Sequence, residues 1–460
     1  MKQRTTALLT AGALALSLLG ATVLAAEDTS APDISSGQVE QLPSASSEED
    51  PASSTEKLPP PEAPPAEEDG EDTQDTEPEE EEPEEPVEEY IPDPVGSISF
   101  GNLEHRMREG NLNMLALEEN IQVIKSFDYD KMQEDLRQAL NGIANAQWGL
   151  IIMQQGDSYA AAVLSQQYDA TRKTFDDLKD GKLQADNADL VRQLENAQNQ
   201  VVMAGEALYI ALLDMERSGK TLERNLSTLD RSLKELELRY ELGHISYQTL
   251  KQTQAGRTSL LSGQQTLNSN IDSYKMQLEL LIGAELTGNI RLAALPQVTN
   301  EELAAMDLEA DLQAAKEASY SLYEARQTVE DAEDDYKDAG RKYNYNEKRY
   351  EYVQAQHQWQ AAQYTYHAAV QSFEMSLRTL YLQVKDYKQV LTAARNALAV
   401  EEDSYSVAQV KYKQGRLSQN ALLEAEDKVK EARETVDGAS IDLFTAYHNY
   451  RWAVDYGILN

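Results

Sequence analysis

Among side chains that bind metals or move protons near neutral pH, this chain offers five histidines and no cysteine. His105, His244, His357, His367 and His448 show no i, i+4 spacing that would set two imidazoles on one helix face. A chain without cysteine has neither thiolate ligands nor disulfides. No glycine-rich phosphate loop and no nucleophile elbow occurs. The expectation is a non-enzyme with no cofactor and no metal. What does recur is a binding constellation. "RYELGHISYQTL" at 239–250 and "KYKQGRLSQNAL" at 411–422 share Tyr, Gly, Ser and Leu at matching places, all at one constant offset. The candidate residues are Tyr240, Gly243, Ile245 and Ser246 in the first copy, and Tyr412, Gly415, Arg416, Leu417 and Ser418 in the second. Basic side chains gather beside them: Arg239, His244 and Lys251, then Lys411, Lys413 and Arg416. Such a set suits docking to an acidic protein surface, and a scatter of solvated charges is the alternative.

Turn chemistry says what must hold these residues. Gly243 and Gly415 suit the left-handed position just past a helix end, where a Cβ is penalised. Ser246 and Ser418 suit the N-cap of the following helix. Ile245 and Leu417 then precede the cap, and Leu250 and Leu422 fall at the fourth helical position, which is the spacing of a hydrophobic staple. Each copy is therefore expected to be the tip of an antiparallel helical hairpin.

The arms carry the matching period. After Gly415, Leu422, Ala425, Val429, Ala432, Val436, Ala439, Leu443, Ala446, Tyr450 and Ala453 alternate steps of three and four. Leu250, Leu260, Leu267, Ile271, Tyr274, Leu278 and Leu281 follow Gly243 in the same register. Leu222, Leu226, Leu229, Leu233, Leu236 and Tyr240 lead into the first tip, and Leu377, Leu380, Val384, Tyr387, Leu391, Ala394 and Leu398 into the second. A period near 3.5 is that of coiled-coil packing. Further back, Tyr345, Tyr352, Trp359, Tyr366, Phe373, Leu380 and Tyr387 step by seven, which predicts one helix of roughly 70 residues running to Gly415. "QGDS" (155–158) and "KDGKLQADN" (179–187) read as turns between helices. The fold class is all-α: long antiparallel coiled-coil hairpins in two internal repeats, 96–290 and 291–460, with Pro296 near the seam. The hairpins can pair with copies of the chain or within it.

Composition divides the rest. Lys2 and Arg4 precede an uncharged stretch ending near Ala25, so 1–25 reads as a signal peptide, or as an uncleaved anchor. Residues 26–95 read as a disordered acidic Pro/Glu-rich linker. From 27 to 95 they hold 13 of the 14 prolines and 25 acidic residues against Lys57 alone. The body from 96 carries 55 acidic and 38 basic residues, a net −17, which argues against nucleic acid as partner.

The motif Y-x-x-G-x-[IL]-S occurs twice, and the heptad helix after the first copy ends near "LELLIGAEL". In this the chain resembles the TolC-like outer-membrane efflux protein family. "SISFGNLEHRMREGNLNMLALEENIQV", beginning at Ser97, is similar to that family's opening helix. The resemblance implies a homotrimer whose hairpins form an α-helical barrel in the cell envelope, at an outer membrane or in the periplasm. It implies that the tips dock to a periplasmic-type adaptor (membrane-fusion) protein coupled to an inner-membrane pump. Gly243, Ile245, Ser246, Gly415, Leu417 and Ser418 would face that adaptor, with Tyr412 near the constriction. Two departures mark a divergent member. Neither half has the proline that precedes the family's barrel strands, so those strands are expected to be missing. Thr249 stands where some members carry an acidic tip residue. The expected function is an exported duct component for efflux or secretion. The alternative is an exported structural coiled-coil rod or scaffold.

Overall fold

The computed structural model describes residues 91–459. The signal segment expected at 1–25, and the linker up to residue 90, lie outside them. Ile91–Val95, the end of that linker, touch the body: Asn102 Nδ2 donates to the Ile91 carbonyl at 2.9 Å, and Ser99 N donates to Asp93 at 2.9 Å.

The described residues are almost wholly helical. The first half contains β1 (Ser97–Ile98), α1 (Phe100–Gly110), α2 (Leu112–Lys125), α3 (Tyr129–Ile152), α4 (Tyr159–Lys179), α5 (Lys182–Glu241) and α6 (Tyr247–Leu281). The second contains β2 (Arg291–Leu292), α7 (Asn300–Ala305), α8 (Leu308–Ala318), α9 (Tyr320–Tyr343), α10 (Tyr350–Lys413) and α11 (Gln419–Asp455). β1 and β2 pair in parallel, Ser97 with Arg291 and Ile98 with Leu292, so the two repeats start side by side. These two-residue strands are the only strands among the described residues.

Each repeat holds two helices meeting at a kink, α1–α2 in the first and α8–α9 in the second, and ends in a long hairpin. Asn111 caps α2 at the first kink by accepting from Asn113 N and Met114 N, and Ser319 caps α9 at the second. The return helices close onto these kinks through left-handed glycines. Gly283 has φ 66° and Gly457 has φ 62°. A Cβ on Gly283 would collide with the Gly110 carbonyl, and one on Gly457 with the Ser319 backbone. Both sites need the torsion and also the missing side chain. The duplication read from the tips is thus repeated at the opposite ends of the hairpins.

The heptad stripes form the core of the hairpin arms, and Ile98, Leu103, Met107, Val202 and Tyr209 belong to a further buried cluster at their root. Leu226, Leu233, Leu250, Ile271 and Leu278 are buried within the α5–α6 hairpin, and Leu377, Val384, Leu391, Val429, Ala439, Leu443 and Tyr450 within α10–α11. Each large aliphatic side chain so covered contributes about 1.5–3 kcal/mol. The two hairpins then pair within the chain, through α5 and α11 running antiparallel. Along this seam Glu434 takes the Arg224 guanidinium at 3.0 Å and the Thr221 hydroxyl at 3.0 Å, while Asp427 pairs with Arg231. Farther from the tips, Glu206 is buried between Trp452 Nε1 at 2.7 Å and His448 Nε2 at 2.8 Å. The four long helices therefore stand in the order α6, α5, α11, α10, with α6 and α10 at the edges.

One expectation is corrected. The aromatic stripe is not one helix of roughly 70 residues from Tyr345. α9 ends at Tyr343, and α10 spans 64 residues from Tyr350. Asn344 and Tyr345 both take left-handed torsions, φ 51° and 52°, and break the helix. Tyr345 keeps the seven-residue step because its ring folds back over Gly340 and meets Tyr352 edge-on at 5.9 Å. The turns read at 155–158 and 179–187 do separate helices, although the second turn is over by Lys182.

Candidate functional site

The tip end brings together the two copies of the repeated motif. α5 ends and α11 begins at one level, where Asn420 Nδ2 reaches Glu235 at 3.5 Å. Both tips thus occupy the same end of the four-helix row.

Each tip is a Schellman turn followed by a capped helix. At the first, His244 N donates to the Arg239 carbonyl at 2.8 Å and Gly243 N to the Tyr240 carbonyl at 2.9 Å. At the second, Arg416 N donates to the Lys411 carbonyl at 2.9 Å and Gly415 N to the Tyr412 carbonyl at 2.8 Å. This pairing satisfies carbonyls that a helix end leaves unpartnered. Gly243 and Gly415 take φ 75° and 72°, with no atom within 4 Å of a would-be Cβ, so torsion alone requires glycine here. Ser246 Oγ accepts from Thr249 N at 3.2 Å, and Ser418 Oγ from Ala421 N at 3.2 Å. Leu250 is buried and Leu422 half-buried; Ile245 and Leu417, the residues before the caps, are both half-buried.

With the backbone groups satisfied internally, the side chains left for a partner are those that point outward. Tyr240 and Tyr412 are exposed, as is Arg416. The sequence reading missed three others. Leu242 is 63 % exposed at the end of α5, Leu238 is exposed one turn earlier, and Tyr247 is exposed at the start of α6. The Tyr240 and Tyr247 rings lie 5.8 Å apart, and Lys251 Nζ sits 5.3 Å from the Tyr247 ring centre. The first tip therefore presents an aromatic pair edged by leucines and a lysine, while the second presents Tyr412 and Arg416. These additions fall off the heptad stripe, so only an outward-facing position, not periodicity, could have signalled them. Among the described residues no group of three or more His, Asp or Glu is placed to hold a metal ion, and no helix is long and apolar enough to cross a membrane.

No family model matches the chain, and no curated protein matches it. Solved structures give a loose likeness. The outer membrane protein VceC from Vibrio cholerae is 15% identical over 60% of this chain and 76% of its own, with a TM-score of 0.40. The Campylobacter jejuni CmeC outer membrane channel is 13% identical over 64% of this chain and 68% of its own, with a TM-score of 0.38. The Neisseria gonorrhoeae MtrE outer membrane channel, in its open state, is 13% identical over 78% of this chain and 89% of its own, with a TM-score of 0.39. Likeness at this level carries no argument about activity or partner, so the functional reading rests on the chain's own geometry.

Proposed function

We propose that this chain is an exported, TolC-like duct component that closes into a ring, a homotrimer, with copies of itself. Its two tips dock to an envelope adaptor protein serving an inner-membrane pump. The observation that carries this reading is the open row α6–α5–α11–α10 with both tips at one end. Beyond the first part of α10, which α8 and α9 cover, the row has open edges. Its outer helix α10 bears a second apolar stripe: Met375, Leu382, Val390, Val400 and Val407 are all exposed while the first stripe is buried against α11. Exposed apolar side chains at helical spacing along a long edge fit another helix edge, and a ring closes such edges without leaving any free. The basic and aromatic character of the tips supports docking to an acidic protein surface there.

The test is a set of tip variants that leave the turns intact. Tyr412→Ala, Arg416→Glu and Tyr247→Ala are expected to abolish export of the cognate cargo, with helix content and melting temperature unchanged. Normal export by the triple variant would sink the docking reading and favour a rod with no transport role.

A further inference from the structure

The α3–α4 hairpin carries almost no charge on either side of its turn. From Gln138 to Tyr168 the only charged residue is Asp157, although a quarter of the whole chain is charged. Charge returns at Arg137 on α3 and Asp169 on α4, so the bare end measures on the order of 15–20 Å along the helices at 1.5 Å per residue. That end is also apolar and uncovered. No residue of α3 is buried. Trp148, Ile151 and Ile152 share one face at i, i+3 and i+4, and Met153 and Tyr159 flank the turn; their exposures are 64, 54, 69, 70 and 86 %. The pair joins the remaining helices at its root, where Asn187 Nδ2 donates to the Tyr129 hydroxyl at 2.9 Å.

The turn itself is built to stay closed. Gln155 N donates to the Leu150 carbonyl at 2.9 Å and Gln154 N to the Ile151 carbonyl at 3.0 Å. Ser158 Oγ caps α4 by accepting from Ala161 N at 3.2 Å. Gln154 holds φ 57° without being glycine. A closed turn keeps Trp148, Ile151, Ile152, Met153 and Tyr159 together at one end.

From this we infer that the α3–α4 tip seats in the headgroup–acyl boundary of a lipid bilayer without spanning it. Two features favour lipid over a protein groove. A helix in a groove keeps charge on its solvated face, whereas here the faces away from Trp148 carry Ala146, Gln147 and Gly149 and no charge. Trp and Tyr bracketing a short aliphatic cluster are the side chains that partition to the interface, with an apolar body and a polar edge. Asp157 and the glutamines of the turn then lie among headgroups. The net −39 of the chain makes a zwitterionic surface the preferred one. This inference stands apart from ring closure, because a tip can bind lipid whether or not the chain forms a duct.

The experiment uses the full chain with phosphatidylcholine vesicles, followed by flotation and by Trp fluorescence. Subtracting the Trp148→Phe spectrum isolates Trp148 from Trp359 and Trp452. The expected result is co-flotation, a blue-shifted Trp148 emission, and quenching by phosphatidylcholine with brominated chains. Ile151→Glu with Ile152→Glu should reduce partitioning of the tip about tenfold or more while leaving the circular dichroism unchanged, since both side chains are exposed in the folded chain. The apolar segment 1–25 is common to both proteins and floats both alike, so the deciding readout is Trp148 itself. Equal Trp148 emission and bromolipid quenching in the two proteins, or no shift of Trp148, overturns the inference. A Trp148 shift that follows protein concentration without lipid overturns it too, because a second copy would then cover the patch. Binding that requires anionic lipid is likewise contrary to it.

Discussion

Arg224 of α5 and Glu434 of α11 meet at 3.0 Å across the seam between the two hairpins, with only 16% and 19% of their side chains exposed. Thr221 donates to the same carboxylate, so Glu434 is held by two groups of the other repeat. A half-buried pair of this kind costs more to break than it contributes as a pair, because the orphaned charge stays covered. Glu434→Leu is therefore expected to destabilise the chain by about 2–3 kcal/mol, and Arg224→Met with Glu434→Leu by less than either single change. Urea unfolding of the four proteins in a double-mutant cycle measures this, and additive costs would show that the seam does not couple the two residues.

Four left-handed glycines separate torsion from space. At Gly243 and Gly415 a Cβ meets nothing, so alanine pays only the strained φ, about 1 kcal/mol at each. At Gly283 and Gly457 the Cβ would also collide with the Gly110 and Ser319 backbones. Alanine there is expected to cost about 3 kcal/mol or more, because backbone cannot swing aside as a side chain can. Thermal melts of the four single variants should fall into these two pairs.

Glu279 gives a pH signature. Its carboxylate is buried and accepts from the amides of Thr287, Gly288, Asn289 and Ile290 and from the Thr287 hydroxyl, at 2.6–3.2 Å. Burial pushes its pKa up, but the Gly288 amide and its neighbours pull it further down, so the group lies below the ordinary 4.5. A depressed carboxylate contributes stability that is present above 4.5 and disappears as pH falls through the folded value. Glu279→Gln should therefore be destabilised by about 2–4 kcal/mol near neutrality. The gap from the natural chain should shrink as the pH drops below 4.5. A gap that is constant with pH would show that the charge plays no part in holding this turn.

How much of this was legible depends on the range of each interaction. The tips were, because Gly243, Ser246, Gly415 and Ser418 act on backbone groups within a few residues of themselves. The heptad stripes were as well, since a hairpin arm buries whatever its period puts inside. The break at Asn344 was not: Tyr345 sits in a turn yet preserves the seven-residue count, so periodicity reads straight through it, and only the Asn-rich "YNYN" hinted at left-handed torsions. The seam pairs Arg224–Glu434 and Arg231–Asp427 join residues 210 and 196 positions apart, and no local pattern marks them among the many charges of the arms. The cradle around Glu279 escaped for a related reason, as a charged side chain inside "LELLIGAEL" looks like an exposed heptad position. Tyr247 and Leu242 were passed over because they are exposed and lie off the stripe that packs the arm.

Ring closure is the central claim, and the lack of native cysteine makes it directly measurable. Val400 precedes the tip end of α10 at Lys413 by nearly the same distance that Ser262 follows the tip start of α6 at Tyr247. The two therefore stand at one level on opposite edges of the row, and both are exposed. In a chain carrying Val400→Cys and Ser262→Cys, mild oxidation should give a ladder of dimer and trimer that ends at three, and either single variant should give no trimer. A chain that stays monomeric under the same oxidation, with both thiols reactive, would contradict the duct.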